Sequence, residues 1–128
     1  EQIKITVGSA MRSRSKNILV KGRDLVSGIP KTIDIRSDEI RQALKDPVKR
    51  ILDVIKDALE ATPAELSSDI IDRGIVLAGG GSQLRGLDQV LREKTGVPVN
   101  VADEPHLAIV KGCGAVIEDL EKFKHVLL

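Results

Sequence analysis

Three consecutive glycines at residues 79–81 form the segment of this sequence with the clearest chemical potential. They follow the apolar run Ile-Val-Leu-Ala at residues 75–78 and precede a helical pattern. Glycine lets a ligand approach the backbone closely and adopts positive φ, and a helix N-terminus presents N–H groups and a positive dipole end. The run therefore predicts either a ligand-binding loop or a tight connecting turn, and three glycines alone do not decide between them.

The spacing of these glycines excludes two common nucleotide motifs. The chain has neither the G-x-G-x-x-G spacing of a dinucleotide fold nor the Gly-Lys-Ser/Thr ending of a P-loop at this point. His106 and His125 are far apart in sequence and have no partners at metal-ligand spacing, so we expect surface histidines. Cys113, the single cysteine, lies between two glycines and is expected to be a small packing residue. No catalytic residue and no metal ligand is predicted.

The elements around the glycines alternate between strand and helix patterns. Residues 75–78 predict a short strand buried on both faces, Ser82 is predicted to cap a helix that ends near Thr95, and residues 97–101 predict a second strand. A helical pattern resumes at about residue 105. This order is typical of an α/β layer with a parallel sheet, in which ligands bind at the carboxyl ends of the strands.

The first half of the chain predicts an antiparallel β-hairpin followed by a long helix. Residues 17–23 and 29–36 alternate in the manner of an antiparallel hairpin. Ser37 is a plausible N-cap for the helix that follows, and Pro47 is expected to kink this helix or to start a second one. Thr62 is predicted to cap a short helix that ends at Gly74.

The composition is that of a globular domain with an aliphatic core. Of 128 residues, 41% are hydrophobic and 1% aromatic, and the net charge is +1. No basic face with stacking aromatics is present, so no nucleic-acid partner is expected, and Arg12, Arg14 and Lys16 predict a solvated loop. The apolar runs are too short to span a membrane. The chain begins without Met inside an amphipathic element, which suggests either a fragment or a start removed by processing.

Residues 75–81 resemble the adenosine-binding motif of the actin and sugar-kinase ATPase superfamily. More narrowly, the chain resembles the MreB family of bacterial actin-like proteins. The resemblance covers nearly the whole chain in order and is carried by these further segments: Glu-Gln-Ile-Lys-Ile at 1–5, Gly-Ser-Ala at 8–10, Val-Lys-Gly-Arg-Asp-Leu at 20–25, Gly-Ile-Pro at 28–30, Thr-Pro-Ala-Glu-Leu-Ser-Ser-Asp-Ile at 62–70, Leu-Arg-Gly-Leu-Asp at 84–88 and Thr-Gly-Val-Pro at 95–98.

The resemblance implies an α/β, ribonuclease H-like subdomain of an actin-like ATPase, as a fragment of a larger two-domain fold. Residues 1–8 would be the end of a helix that faces the nucleotide cleft, and residues 9–36 part of an inserted small subdomain. Residues 37–104 would form the large subdomain that carries the glycine loop. Residues 105–128 would be the hinge and the helix that return to the first large subdomain, where Gly112 and Gly114 would let helices cross closely.

The resemblance also implies the site residues. The glycine backbone would pack against ribose and adenine, two following residues would line the same edge, and an acidic and a basic residue would reach the ribose and base from the facing helix. In this sequence these are Gly79, Gly80, Gly81, Ser82, Gln83, Glu1 and Lys4. The ligand would be ATP, with Mg²⁺ in the complete protein. The phosphate-binding segments and the Mg²⁺ ligands would lie before residue 1, so this fragment alone is expected to be inactive.

The function implied is that of a filament-forming protein that maintains rod cell shape by organising cell-wall synthesis. Expected partners are further copies of the protein, the cell-wall elongation machinery and inner-membrane adaptor proteins. The implied location is the cytoplasmic face of the inner membrane, with membrane contact only through segments outside this chain. One alternative is a structural or partner-binding α/β module that does not bind nucleotide by itself. Another is an α/β transferase that uses the glycines for a nucleotide-sugar phosphate.

Overall fold

The fold combines one antiparallel hairpin, one small parallel sheet and a set of helices. The structure is a computed structural model and describes residues 1–12 and 16–125. The α-helices and strands of the described residues are α1 (Gln2–Val7), β1 (Asn17–Arg23), β2 (Pro30–Arg36), α2 (Ser37–Glu60), α3 (Ala64–Arg73), β3 (Ile75–Leu77), α4 (Leu87–Thr95), β4 (Val99–Val101) and α5 (Ala108–Glu118). A 3-10 turn, Gly80–Gln83, lies between β3 and α4. The predicted α/β alternation is therefore confirmed. The solvated loop predicted from Arg12, Arg14 and Lys16 falls partly outside the described residues, because Arg14 is not among them.

The predicted hairpin is present, with β1 and β2 paired antiparallel from Asn17 opposite Arg36 to Arg23 opposite Pro30. Its turn is closed by Asp24, whose carboxylate Oδ1 accepts hydrogen bonds from the N–H groups of Val26 at 2.9 Å and Ser27 at 3.0 Å. A short side chain that accepts from backbone N–H groups two and three residues ahead is a common way to stabilise a turn.

Helix α2 runs without interruption from Ser37 to Glu60, with Pro47 inside it. The alternative in which Pro47 starts a second helix is therefore wrong, and the other alternative, a kink at Pro47, stays a prediction. Proline removes one helical N–H, and here the carbonyl that loses its donor belongs to Ala43, an exposed residue that water can reach. The predicted cap is also wrong, because the N-cap is Arg36, whose N–H donates to the Glu39 carboxylate at 2.8 Å.

Ser37 and Thr62 use their hydroxyl groups for other contacts. Ser37 is buried, and its Oγ accepts a hydrogen bond from the N–H of Lys16, so it ties the helix to the chain before the hairpin. The Thr62 hydroxyl donates to the carbonyl of Ala58 at the end of α2. Helix α3 consequently starts without the predicted Thr62 cap, although it ends before Gly74 as predicted.

Strands β3 and β4 pair in parallel, with Ile75 opposite Val99 and Leu77 opposite Val101. The sheet contains only these two strands in the described part of the chain. Burial of β3 on both faces is therefore wrong for this chain, because the side chain of Val76 is 65% exposed. The parallel pairing itself agrees with the strand–helix–strand pattern.

The core lies where α2 and α4 meet the parallel sheet. Its buried members are Val48 of α2, Leu87 and Leu91 of α4, and Val99 of β4. Leu91 and Val99 are fully buried. Every member of this cluster is aliphatic, as the composition predicts, and Leu77 and Leu84, which precede and follow the glycine run, pack against it.

Helix α5 begins at Ala108, three residues later than predicted. Cys113 is exposed, so the prediction that it is a small packing residue is wrong for this chain. A Cβ added at Gly112 or Gly114 would meet no atom within 4 Å, so no described element crosses α5 closely at these glycines. None of the described helices is both long and apolar enough to cross a membrane.

Candidate functional site

A cavity of about 690 Å³ lies between α1, α2 and the glycine run. This volume is within the range of small-molecule sites. The lining residues come from the chain around α1, the middle of α2, the glycine run with the start of α4, and the segment before α5: Glu1, Lys4, Ile5, Gly8, Leu44, Pro47, Val48, Ile51, Gly80, Gly81, Gln83, Leu84, Arg85, Leu87 and His106. The cavity has an apolar wall from α2 and polar groups at its edges.

Five of the seven predicted site residues line this cavity. They come from two segments about 80 residues apart in the sequence, and they are Glu1, Lys4, Gly80, Gly81 and Gln83. A Cβ built at Gly80 or Gly81 would meet no atom within 4 Å, so the backbone of both glycines faces open space. A ligand in the cavity can therefore approach this backbone closely.

Gly79 and Ser82 do not line the cavity but shape the turn beneath it. Gly79 has φ 82° and ψ 166°, a conformation that is almost restricted to glycine. Its N–H donates to the carbonyl of Pro105 at 2.6 Å. The buried Ser82 hydroxyl donates to the carbonyl of Gly79 at 2.7 Å. The prediction that Ser82 caps the next helix is wrong, because the glycines enter a single 3-10 turn and α4 starts only at Leu87.

Glu1, the N-cap of α1, and Lys4 form an ion pair at 2.7 Å across the first turn of the helix. The hydrogen bond from Lys4, reinforced by its positive charge, lowers the pKa of the Glu1 carboxyl. Both side chains are largely exposed, at 71% for Glu1 and 46% for Lys4. Exposed pairs of this kind are weak, so a ligand with hydroxyl groups or ring nitrogens can compete for both partners.

Gln83 and His106 meet at another edge of the cavity. The amide Nε2 of Gln83 lies 3.2 Å from Nδ1 of the His106 ring and donates to it in the tautomer that carries its proton on Nε2. The sequence predicts a surface histidine at position 106, and the residue is indeed exposed, but it also lines the cavity. No spacing rule could have linked two residues 23 positions apart. The contact exists because Pro105 is hydrogen-bonded to Gly79.

Arg85 is a further cavity residue that sequence reasoning missed. Its guanidinium Nη2 donates to the carbonyl of Ile5 at 3.0 Å and also to the carbonyl of Thr6. Its own carbonyl accepts from the N–H of Ala10 at 2.8 Å. Nothing in the local sequence Leu-Arg-Gly-Leu shows these contacts, because their partners lie about 80 residues earlier.

His, Cys, Asp and Glu side chains are the usual metal ligands of proteins. No group of three or more His, Cys, Asp or Glu side chains within residues 1–12 and 16–125 is arranged to hold an ion.

Comparison with solved structures identifies the class of protein. The chain matches MreB5 of Spiroplasma citri bound to ADP with a TM-score of 0.87 and 31% identity, over 98% of this chain and 38% of that one. The AMPPNP-bound structure of the same protein matches with a TM-score of 0.85 and 30% identity, over 99% and 38% of the two chains. The chain therefore has the fold of part of an actin-like protein.

The family is equally well defined. The sequence model of the MreB/Mbl protein family matches residues 1–125, and the chain belongs to that family. It is 45% identical to the cell shape-determining protein Mbl of Bacillus subtilis over 123 residues, which are 95% of this chain and 37% of the relative. It is 43% identical over 122 residues to the cell shape-determining protein MreB of Escherichia coli, with coverage of 94% and 35%. The chain thus spans little more than a third of these relatives.

Proposed function

We propose that this chain forms the adenosine-facing side of an ATP site in a filament-forming protein that maintains rod cell shape by organising cell-wall synthesis. The observation that carries the proposal is that α1 and the glycine run contribute residues to the same cavity. These residues are Glu1, Lys4, Gly80, Gly81 and Gln83. It is supported by the two structural neighbours, which are an ADP-bound and an AMPPNP-bound MreB5.

The cavity suggests how the nucleoside would be held. The open backbone of Gly80 and Gly81 would accept the flat face of the base and ribose. The Glu1 carboxylate would accept hydrogen bonds from ribose hydroxyls, and Lys4 would donate to an oxygen or a ring nitrogen. Pro47, Val48 and Ile51 of α2 would supply the apolar wall. Mg²⁺ and the phosphates would be held by segments other than the described residues, and the chemistry of phosphoryl transfer would be carried out there.

The partners and the location in the cell belong to the same proposal. We expect the complete protein to self-associate into filaments and to contact the cell-wall elongation machinery through inner-membrane adaptors. We expect it at the cytoplasmic face of the inner membrane. The names of the relatives, which are cell shape-determining proteins, support this role.

The test is Gly80→Val in the protein expressed from its full coding sequence. A valine side chain has room at this position but projects into the cavity, so the fold should persist while ATP affinity drops by at least about tenfold. Gly22→Val is the matched control, because a Cβ at Gly22 also meets no atom within 4 Å and valine suits the strand β1. Isothermal titration with ATP measures both variants.

The same titration distinguishes the alternative of a structural or partner-binding module. Unchanged ATP affinity in a folded Gly80→Val protein, or no ATP binding in the unsubstituted protein, would mean that the glycine run is only a connecting turn. Affinity lost equally in Gly22→Val would point to a general disturbance of the fold.

A further inference from the structure

We infer that Arg85 is a positioning residue of the nucleotide site: it fixes α1, which carries Lys4 and follows its N-cap Glu1, at a set distance from the glycine run. The inference rests on the proposed function, since the two segments it joins are the two polar sides of the cavity. Arg85 itself lines the cavity, next to Leu84 and the glycines.

The side chain of Arg85 holds the end of α1. Its Nη2 donates to the carbonyls of Ile5, at 3.0 Å, and Thr6. Carbonyls in the last turn of a helix lack helical donors and carry the negative end of the helix dipole, so a guanidinium is well suited to both. Helix α1 has only six residues and is too short to be stable without such tertiary contacts.

The backbone of Arg85 holds the chain that follows α1. Its carbonyl accepts hydrogen bonds from the N–H of Ala10 at 2.8 Å and from the Ser9 hydroxyl at 3.2 Å. Ser9 is buried, so this contact is shielded from water. One residue therefore anchors the segment on both sides of Gly8.

The segment that carries Arg85 is itself held in place next to the glycine run. Arg85 follows the 3-10 turn of the glycine run, in which the Leu84 N–H donates to the carbonyl of Gly81 at 3.1 Å. Gly86 has φ 73°, and a Cβ there would come within 3.0 Å of the Met11 side chain. The chain at residues 9–11 thus packs closely against residues 85–86. A shift of α1 relative to the glycines requires these contacts to break.

The experiment measures adenosine and ATP affinity by titration in the protein expressed from its full coding sequence. Arg85→Met keeps the aliphatic stem but removes the donors, and adenosine affinity should fall about tenfold or more, as expected when hydrogen bonds from a charged group are lost. Arg85→Lys retains one charged donor and should recover part of that loss. Arg41→Met is the control, because Arg41 pairs with Asp38 on α2 and does not line the cavity.

A double substitution separates positioning from a general effect on stability. If Arg85 acts through α1, the loss caused by Arg85→Met should be smaller when Lys4→Met is already present, because one of the two contacts that Arg85 positions is then gone. Undiminished loss in the Lys4→Met background, or unchanged affinity in Arg85→Met and Arg85→Lys, would overturn the inference while leaving the proposed function intact. Absence of adenosine and ATP binding in the unsubstituted protein would overturn both.

Discussion

Two glycines with nearly the same backbone conformation have different surroundings. Gly74 has φ 78° and ψ −166°, and Gly79 has φ 82° and ψ 166°. A Cβ on Gly74 would lie 2.4 Å from the carbonyl oxygen of Pro98, whereas a Cβ on Gly79 would meet no atom within 4 Å. At position 74 both the backbone conformation and the lack of room for a Cβ require glycine. At position 79 only the backbone conformation does.

This pair gives a prediction for stability. Gly79→Ala should lower the free energy of unfolding by about 1–3 kcal/mol, from backbone strain. Gly74→Ala should lower the free energy of unfolding by about 1–3 kcal/mol more than Gly79→Ala does, because the methyl group also collides with the backbone that pairs β3 with β4. Urea denaturation of both variants measures the difference. Equal losses would show that the Pro98 carbonyl moves aside at little cost.

Single residues also show where the sequence stops being informative. Ser37, Thr62 and Ser82 all have the residue type and position of helix caps, and none of them caps. Each hydroxyl finds a different partner: Lys16 for Ser37, Ala58 for Thr62 and Gly79 for Ser82. A hydroxyl has several partners of similar energy within reach, and only the folded backbone determines which one is closest.

At the scale of elements, patterning predicted more than individual caps did. The hairpin, the long amphipathic helix, the parallel strand pair and the ends of α3 and α4 all follow from apolar spacing and glycine positions. The cavity brings together Glu1, Lys4 and the glycine run, as the family resemblance implies. Arg85 and His106 could not be predicted, because their contacts depend on how distant segments dock.

We expect the stability of the turn between β1 and β2 to depend on pH through Asp24. Hydrogen bonds from the backbone N–H groups of Ser27 and Val26 lower the pKa of the Asp24 carboxyl. A lowered folded-state pKa means that the carboxylate stabilises the turn above its unfolded pKa of about 3.9, and that this contribution is lost as the pH falls through the folded value. We expect the turn to open on acidification below about pH 4.

Amide chemical shifts of Val26 and Ser27, followed by NMR from neutral pH to about pH 2, measure this opening. In Asp24→Asn the acceptor oxygen remains but does not titrate, so the acid-induced change at these two amides should disappear. Acid-induced changes of the same size in Asp24→Asn would assign them to another group.

At the scale of the whole molecule, α5 presents an apolar face without a partner among the described residues. Ile109, Val110 and Ile117 are 71%, 62% and 70% exposed. Val110 and Ile117 are seven residues apart and lie on one face of the helix. The chain spans 37% of its Mbl relative, so most of the relative's fold has no counterpart here that could cover such a surface.

We therefore expect the 128-residue chain, expressed by itself, to associate. The combined substitution of Val110→Glu and Ile117→Glu should restore a monomer, since two charges on this face oppose its burial. Val26→Glu, at a fully exposed position in the hairpin turn, is the control and should leave association unchanged. Sedimentation velocity over a range of concentrations reports the mass. A clean monomer of the unsubstituted chain at high concentration would contradict the expectation.

Pro47 marks the point at which we expect α2 to bend most easily. The helix is a rod of 24 residues, about 36 Å long. Its first residue adjoins the hairpin, and its middle forms the apolar wall of the cavity. Pro47 lines this wall and leaves the carbonyl of Ala43, one turn earlier, without its helical donor, so we expect α2 to be least stiff next to the cavity. A bend of α2 at this point would change the width of the cavity and, at the same time, the direction in which the hairpin extends from the helix.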